Sequence, residues 1–270
     1  MINYTEESSS YDASGMSVHE ILTAINNEDA KIHEAVKLAI PQIEKLVAAI
    51  LPGMKAGGRL FYIGAGTSGR LGILDASEMP PTYGVSPEMI TGLIAGGDRA
   101  IRKAVEGAED DAELAWQDLT RNGIKKGDAV IGIAASGTTP YVIGGLQRAR
   151  KEGLATGSIT CNPGSPVTIA AEYPVVVAPG PEFITGSTRM KAGTAQKLVL
   201  NMISTSLMVK LGRVDGNKMV NMQLTNKKLV VRGTRMIMEK SGLTEHESRE
   251  LLLKYGSVKK VLEHLGINRE

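Results

Sequence analysis

Two segments of the 270-residue chain carry residue types that hold an anion: Leu60-Phe-Tyr-Ile-Gly-Ala-Gly-Thr-Ser-Gly-Arg70 and Val130-Ile-Gly-Ile-Ala-Ala-Ser-Gly-Thr-Thr-Pro140. Each is a short apolar run that breaks into small and hydroxyl residues and restarts with helical character. Glycine lets the backbone turn tightly, and serine and threonine hydroxyls donate to phosphate oxygens. The free N–H groups of the next helix then point at the ligand with the positive end of its dipole. Neither turn is a nucleotide motif. The first reads Gly-x-Gly-x-Ser-Gly, which has the glycine spacing of a dinucleotide fingerprint but not the downstream acid that would hold a ribose, and neither holds the Gly-Lys-Ser/Thr of an NTPase phosphate loop. One such turn alone is an ordinary strand-to-helix connection; two, both rich in hydroxyls, point to a phosphorylated small molecule, a sugar phosphate above all.

Carboxylates that could serve such a ligand lie in two places. The first turn runs into Leu71-Gly-Ile-Leu-Asp-Ala-Ser-Glu-Met-Pro-Pro-Thr82, which sets Glu78 about two helical turns further on, just before a double proline that should end the helix. A carboxylate there can face the mouth of a site; its plainer reading is a solvated helix end. The run Val105-Glu-Gly-Ala-Glu-Asp-Asp111 crowds Glu106, Glu109, Asp110 and Asp111 together. Acidic runs commonly cap helices or coat wet faces, and spacing does not choose Glu109 over Glu106. A third segment, Gly180-Pro-Glu-Phe-Ile-Thr-Gly-Ser-Thr-Arg-Met-Lys-Ala-Gly-Thr194, suits either an anionic or hydroxylated ligand group or an elaborate helix cap. His19, His33, His246 and His264 lie outside these segments, lack metal-ligand spacing and read as helix-surface residues. Cys161, the only cysteine, has no neighbouring base and reads as structural; it excludes an internal disulfide and a multi-cysteine zinc site.

The elements that must position these residues follow from periodicity. A capping box at Ser17-Val-His-Glu20 opens a helical region over 18–51, with a kink or a break and restart at Pro41. Strands are expected at 59–63, 89–95, 128–134, 155–160 and 173–177, with helical stretches at 69–78, 98–121, 140–151 and 166–171. This alternation predicts an α/β fold: a parallel sheet covered on both faces, with ligands beyond the carboxyl ends of the strands. The stretch 191–211 reads as a helix buried nearly all round, Met202 and Met208 being core filler. A helical tail over 226–270 carries a second capping box at Thr244-Glu-His-Glu247 and a cap at Ser257. The expected organisation is therefore N-terminal arm and helices, 1–57; ligand-binding domain, 58–225; and C-terminal helical subdomain, 226–270. Net charge of +2 and 4% aromatic content leave neither a strong field nor stacking platforms for nucleic acid. With no signal-peptide pattern and no membrane-length apolar stretch, the expectation is a cytoplasmic protein without a membrane partner.

At these motifs the chain resembles a known family. Gly64-Ala-Gly-Thr-Ser-Gly-Arg-Leu-Gly, Asp75-Ala-Ser-Glu-Met-Pro-Pro-Thr, Ile94-Ala-Gly-Gly, Val105-Glu-Gly-Ala-Glu-Asp-Asp, Ile133-Ala-Ala-Ser-Gly-Thr-Thr-Pro-Tyr, Cys161-Asn-Pro-Gly-Ser-Pro and Ile184-Thr-Gly-Ser-Thr-Arg-Met-Lys-Ala-Gly-Thr-Ala-Gln-Lys look, in order and over nearly the whole chain, like those of N-acetylmuramic acid 6-phosphate etherases. These belong to the sugar-isomerase-type (SIS) phosphosugar-binding proteins. The resemblance implies a three-layer, doubly wound parallel sheet, flavodoxin-like in outline. It implies a lyase-type cleavage of the D-lactyl ether during recycling of cell-wall amino sugar, with no metal or organic cofactor. Matching motif to motif, Glu78 corresponds to the acid that protonates the ether oxygen and Glu109 to the second catalytic residue, the C2 base. Ser68, Ser136, Gly137, Thr138 and Thr139 match the phosphate-binding pattern. Glu182, Ser187 and Lys191 are candidates for substrate or interface contact in a homodimer with sites near the interface. The helical tail looks shorter than in many members. Two rivals share the fold: a phosphosugar isomerase, and a non-catalytic sugar-phosphate sensor of the glucokinase-regulatory type, which could do without both glutamates.

Overall fold

The computed structural model describes Thr5, residues 11–224 and residues 227–267. Five strands, β1 (Leu60–Gly64), β2 (Ile90–Ile94), β3 (Ala129–Ile133), β4 (Ala155–Thr160) and β5 (Tyr173–Val176), form one all-parallel sheet in the order β2-β1-β3-β4-β5. Each lies within one residue, at either end, of its expected position. Seven helices alternate with them or flank them: α1 (Val18–Lys55), α2 (Gly66–Tyr83), α3 (Asp98–Arg102), α4 (Leu114–Arg121), α5 (Pro140–Lys151), α6 (Pro166–Ala170) and α7 (Lys191–Lys210).

Side chains alternate across the sheet, so each face collects its own helices. Phe61 and Ile63 join Leu119 of α4, Tyr141, Val142 and Leu146 of α5, and Val167 of α6 in one core. Tyr62 points the other way, where its hydroxyl donates to Asp75 of α2 at 3.0 Å. On that same face Gly157 of β4 admits Leu46 of α1; a Cβ at Gly157 would lie 2.4 Å from the leucine. The result is the three-layer, doubly wound arrangement. Strand order reverses between β1 and β3, the position where such sheets open a crevice at their carboxyl ends. Register sets Gly64 beside Ile133, so the two hydroxyl turns leave the sheet side by side.

Several local expectations are corrected. α1 opens on the Ser17–Glu20 capping box and runs without a break through Pro41 and Pro52. A proline inside a helix costs about 3 kcal/mol, and the continuous buried face of Ile32, Val36, Ala39, Ile43, Leu46 and Ile50 offsets it. α2 continues past Pro80-Pro81 to Tyr83 because Met79 and Tyr83 are buried. The stretch expected as one helix over 98–121 is two, α3 and α4, separated by the acidic loop. That loop turns at Gly107 (φ +73°), and Asp111 then caps α4 by accepting the Glu113 and Leu114 N–H groups. α7 is not buried all round: Met208 is in the core, but Met202 is 38% exposed and Val209 45%.

The chain divides into two compact units, Met1–Ala76 with Glu88–Ser204, and Ser77–Pro87 with Thr205–Glu270. The first unit holds the sheet and α1; the second takes in Ser77–Pro87 and the chain from Thr205 on. Within the second unit α8 (Lys227–Ser241), α9 (Glu245–Tyr255) and α10 (Val258–His264) enclose Val220, Met222, Ile237, Leu252, Val258 and Val261. The caps at Thr244 and Ser257 form as expected; residues 226 and 268–270 of the expected tail lie outside the described residues.

Candidate active site

The second hydroxyl turn is the more open of the two. Ser136 and Thr139 are half-buried and Thr138 is exposed. Gly137 takes φ +73°, and a Cβ there would meet Ser165 Oγ at 2.0 Å and Thr160 Oγ1 at 2.7 Å, so only glycine fits. Its N–H donates inward to the Ala134 carbonyl at 3.0 Å, so Gly137 contributes the shape of the turn while its amide is engaged. Thr138 donates to Ser136 Oγ from its hydroxyl at 3.0 Å and from its N–H at 3.3 Å. Thr139 sits at the N-cap of α5 but its side chain makes no capping bond, and Pro140 follows at the first helical position.

The first turn is closed. Gly66 (φ +51°) opens α2, Ser68 is buried, and its hydroxyl donates to Gln196 of α7 at 2.9 Å. The N–H groups of a helix's first turn have no partners within the helix, which leaves α2 able to present its own to an anion. Beside it a cleft of about 250 Å³ is lined by Thr67, Arg189, Thr194 and Lys197, bringing two cations near that helix start.

Tyr141 fixes the acidic loop to the second turn. Its N–H, in the first turn of α5, donates to the Glu109 carbonyl at 3.0 Å, and its hydroxyl donates to Asp118 of α4 at 2.9 Å. Burial and the Asp118 carboxylate raise that hydroxyl well above the ordinary phenol range, so it stays protonated. Gly144 lets the loop lie on α5: a Cβ there would be 1.9 Å from the Ala112 carbonyl oxygen. Glu109 therefore stands beside Ser136–Thr139 on a loop, exposed and with its backbone held, and among the described residues no such bond ties Glu106 to the turn. Glu78 is also exposed; it lies in the second compact unit, near the end of α2.

In the third segment Glu182 and Lys191 are buried. The Glu182 carboxylate accepts the N–H groups of Lys191 and Ala192 at 2.8 and 2.9 Å, across the start of α7. Burial pulls its pKa up against those bonds, with a net rise. Lys191 Nζ pairs with Glu28 of α1 at 2.6 Å. Burial raises the Glu28 pKa, but its bonds to Lys191 and Lys31 outweigh that and leave it below the ordinary range. Ser187 is half-buried, its N–H on the Ile184 carbonyl. Cys161 is buried, and burial together with the Glu182 charge pushes its thiol up to about 12, the inert residue its surroundings predicted. All four histidines are exposed on helices. Sequence reasoning missed Glu28, Gln196 and Asn162. Glu28 had a signal: it interrupts the buried series Ala24, Ile32, Val36 at helical spacing, and a charge in such a stripe needs a partner.

Among the described residues no group of His, Cys, Asp and Glu is arranged to hold a metal, and no helix is long and apolar enough to cross a membrane. The sheet order β2-β1-β3-β4-β5 is that of a flavodoxin-like, doubly wound α/β protein. The family description of the glucokinase regulatory protein N-terminal SIS domain matches residues 42–150. Among solved structures, a protein of E. coli CFT073 superposes with a TM-score of 0.54 at 18% identity, over 74% of this chain and 95% of that one. A phosphoheptose isomerase from Neisseria gonorrhoeae gives 0.51 at 18%, over 71% and 98%. At that identity these establish the fold alone. Sequence similarity goes further. N-acetylmuramic acid 6-phosphate etherase of Christiangramia forsetii is 63% identical over 96% of this chain and 95% of its own length. The etherases of Bacteroides fragilis and Cronobacter sakazakii are 59% identical over 97% and 94%, and 52% identical over 93% and 85%. The chain belongs to the N-acetylmuramic acid 6-phosphate etherase family.

Proposed function

We propose that the protein is a carbon–oxygen lyase that cleaves the D-lactyl ether of N-acetylmuramic acid 6-phosphate, giving N-acetylglucosamine 6-phosphate and D-lactate in cell-wall amino-sugar recycling in the cytoplasm. Membership of the etherase family is the observation that carries this reading, and it disfavours an isomerase or a non-catalytic sensor. The chemistry asks for an acid and a base. Opening the sugar to its aldehyde acidifies the C2 hydrogen; Glu109 takes that proton, and the electron pair forms the C2–C3 double bond. The C3–O bond breaks as Glu78 protonates the departing oxygen, releasing lactate. Water adds at C3 of the unsaturated aldehyde and C2 regains a proton. The phosphate rests against Ser68 and the Ser136–Thr139 turn. The assignment of Glu109 over Glu106 is supported by the hydrogen bond from Tyr141 to the Glu109 carbonyl.

The two glutamates separate in a direct experiment. Glu78→Gln should stop lactate release yet leave exchange of the C2 hydrogen with deuterated water, whereas Glu109→Gln should suppress both. Retained exchange in Glu109→Gln would remove Glu109 as the base.

A homodimer with shared sites belongs to the same reading. In this reading the sites lie near the interface and Glu78 serves the partner's turn. The apolar residues Met202 and Val209 that α7 leaves exposed also favour a partner. Mixing the two inactive variants after reversible dissociation should restore part of the lactate release, since a hybrid pair has one site with both glutamates intact. No recovery in a confirmed hybrid would contradict the shared site.

A further inference from the structure

Asn162 sits one residue past Cys161 at the end of β4, 4% exposed, and no step of the proposed reaction uses it. Two of its hydrogen bonds run from the carboxamide nitrogen. One bond goes to the Ser136 carbonyl at 3.1 Å, the other to Thr5 Oγ1 at 2.9 Å. Its own N–H donates to Thr160 Oγ1 at 3.2 Å, and Thr160 lies 3.3 Å from Ser165 Oγ. Those two hydroxyls are the atoms against which Gly137 is packed. One buried residue therefore holds both ends of the Ser136–Gly137 peptide: its carbonyl directly, its glycine through the Thr160–Ser165 pair.

The partner that sequence gives no reason to expect is Thr5, 157 residues away and 5% exposed. A polar side chain in the first residues of a chain is ordinarily solvated. A second N-terminal anchor lies at Tyr11, whose hydroxyl donates to Glu28 at 3.3 Å and whose ring meets Phe183 at 5.1 Å. Thr5 is thus tied to the second hydroxyl turn and Tyr11 to the segment ahead of α7.

We propose that Thr5 and Asn162 are positioning residues for the phosphate cradle: Thr5 holds the Asn162 carboxamide in the rotamer that fixes the Ser136 peptide, and so sets the direction of the Ser136 and Thr138 hydroxyls. This rests on reading the Ser136–Thr139 turn as the phosphate site. Replacing Thr5 with valine keeps the shape and removes one acceptor of the buried Asn162 carboxamide. That weakens the hold of the carboxamide on the Ser136 carbonyl. Neither Thr5 nor Asn162 touches the reacting carbons, so binding should change and the chemical step should not.

The test compares Thr5→Val, Thr5→Ser and Asn162→Ala with the unmodified protein, measuring steady-state kinetics on the phosphorylated muramic sugar and calorimetric binding of inorganic phosphate. Thr5→Val should raise KM and the phosphate Kd together by about three- to ten-fold with kcat within two-fold, and Asn162→Ala should do so more strongly. Thr5→Ser, which restores the acceptor, should return both constants to those of the unmodified protein. Unchanged KM and phosphate Kd in Thr5→Val, or a serine variant as impaired as the valine one, would overturn the proposal. Phosphate binding without lactate release by the unmodified protein would instead refute the etherase reading, and the valine-to-serine comparison in phosphate affinity would still decide this one.

Discussion

The two hydroxyl turns begin at the same level of adjacent strands, yet they are built differently. The first is closed: Ser68 is buried and bonded to Gln196 on α7, while Gly66 has open space where a side chain would go. The second is open at its hydroxyls and crowded at its glycine, with Thr138 exposed and Gly137 pressed against Ser165 and Thr160. The first turn is therefore foremost a helix start, joining α2 to α7 and offering backbone N–H groups. The second leaves its hydroxyls open, and it is there that the proposed function seats the phosphate. Similar sequence patterns have been given different duties by what packs behind them.

Glycine substitution separates the two most strongly. Gly137→Ala combines a left-handed backbone cost of about 1–2 kcal/mol with overpacking of about 1–3 kcal/mol. It should displace the turn and lower kcat/KM by about 100-fold or more. Gly66→Ala meets no neighbour and carries only the backbone cost, so its effect should stay within about ten-fold. Equal losses in the two variants, measured by kinetics alongside thermal unfolding, would erase the distinction drawn between the turns.

The serines give a smaller contrast in kind as well as size. Ser136→Ala loses a charge-assisted bond worth about 1.5–3 kcal/mol, so affinity for the phosphorylated sugar should fall about 10- to 100-fold with little change in Tm. Ser68→Ala leaves the buried Gln196 carbonyl without its donor, a loss of about 1–3 kcal/mol in stability and a few degrees in Tm, with a weaker effect on affinity. A Ser68 variant with unchanged Tm and the larger affinity loss would reverse the assignment.

Much of this was readable in the chain itself. Apolar runs bounded by glycine marked the five strands, and the capping boxes at Ser17 and Thr244 form as written. Local rules failed where tertiary burial outweighs them. Prolines 41, 80 and 81 stay inside helices because buried neighbours on the same helix hold them there. The acidic loop falls inside the stretch 98–121 expected as helix, and it is Asp111's capping bonds and the turn at Gly107 that divide it. Long-range polar partners left no local trace: nothing near Thr5 points to Asn162, and nothing near Ser68 points to Gln196. The bond from the Tyr141 N–H to the Glu109 carbonyl, which sets that loop beside the second turn, is one that no spacing rule reports.

The central claim is that the ether is broken on the sugar side, by elimination and then water addition, and oxygen-labelled water tests it most directly. The protein is incubated with N-acetylmuramic acid 6-phosphate in H₂¹⁸O, and both products are analysed by mass spectrometry. The account predicts label at C3 of N-acetylglucosamine 6-phosphate and unlabelled D-lactate, because the ether oxygen leaves with the lactyl group. Label in the lactate hydroxyl would mean cleavage on the lactyl side and would contradict the account, even if both glutamates proved essential.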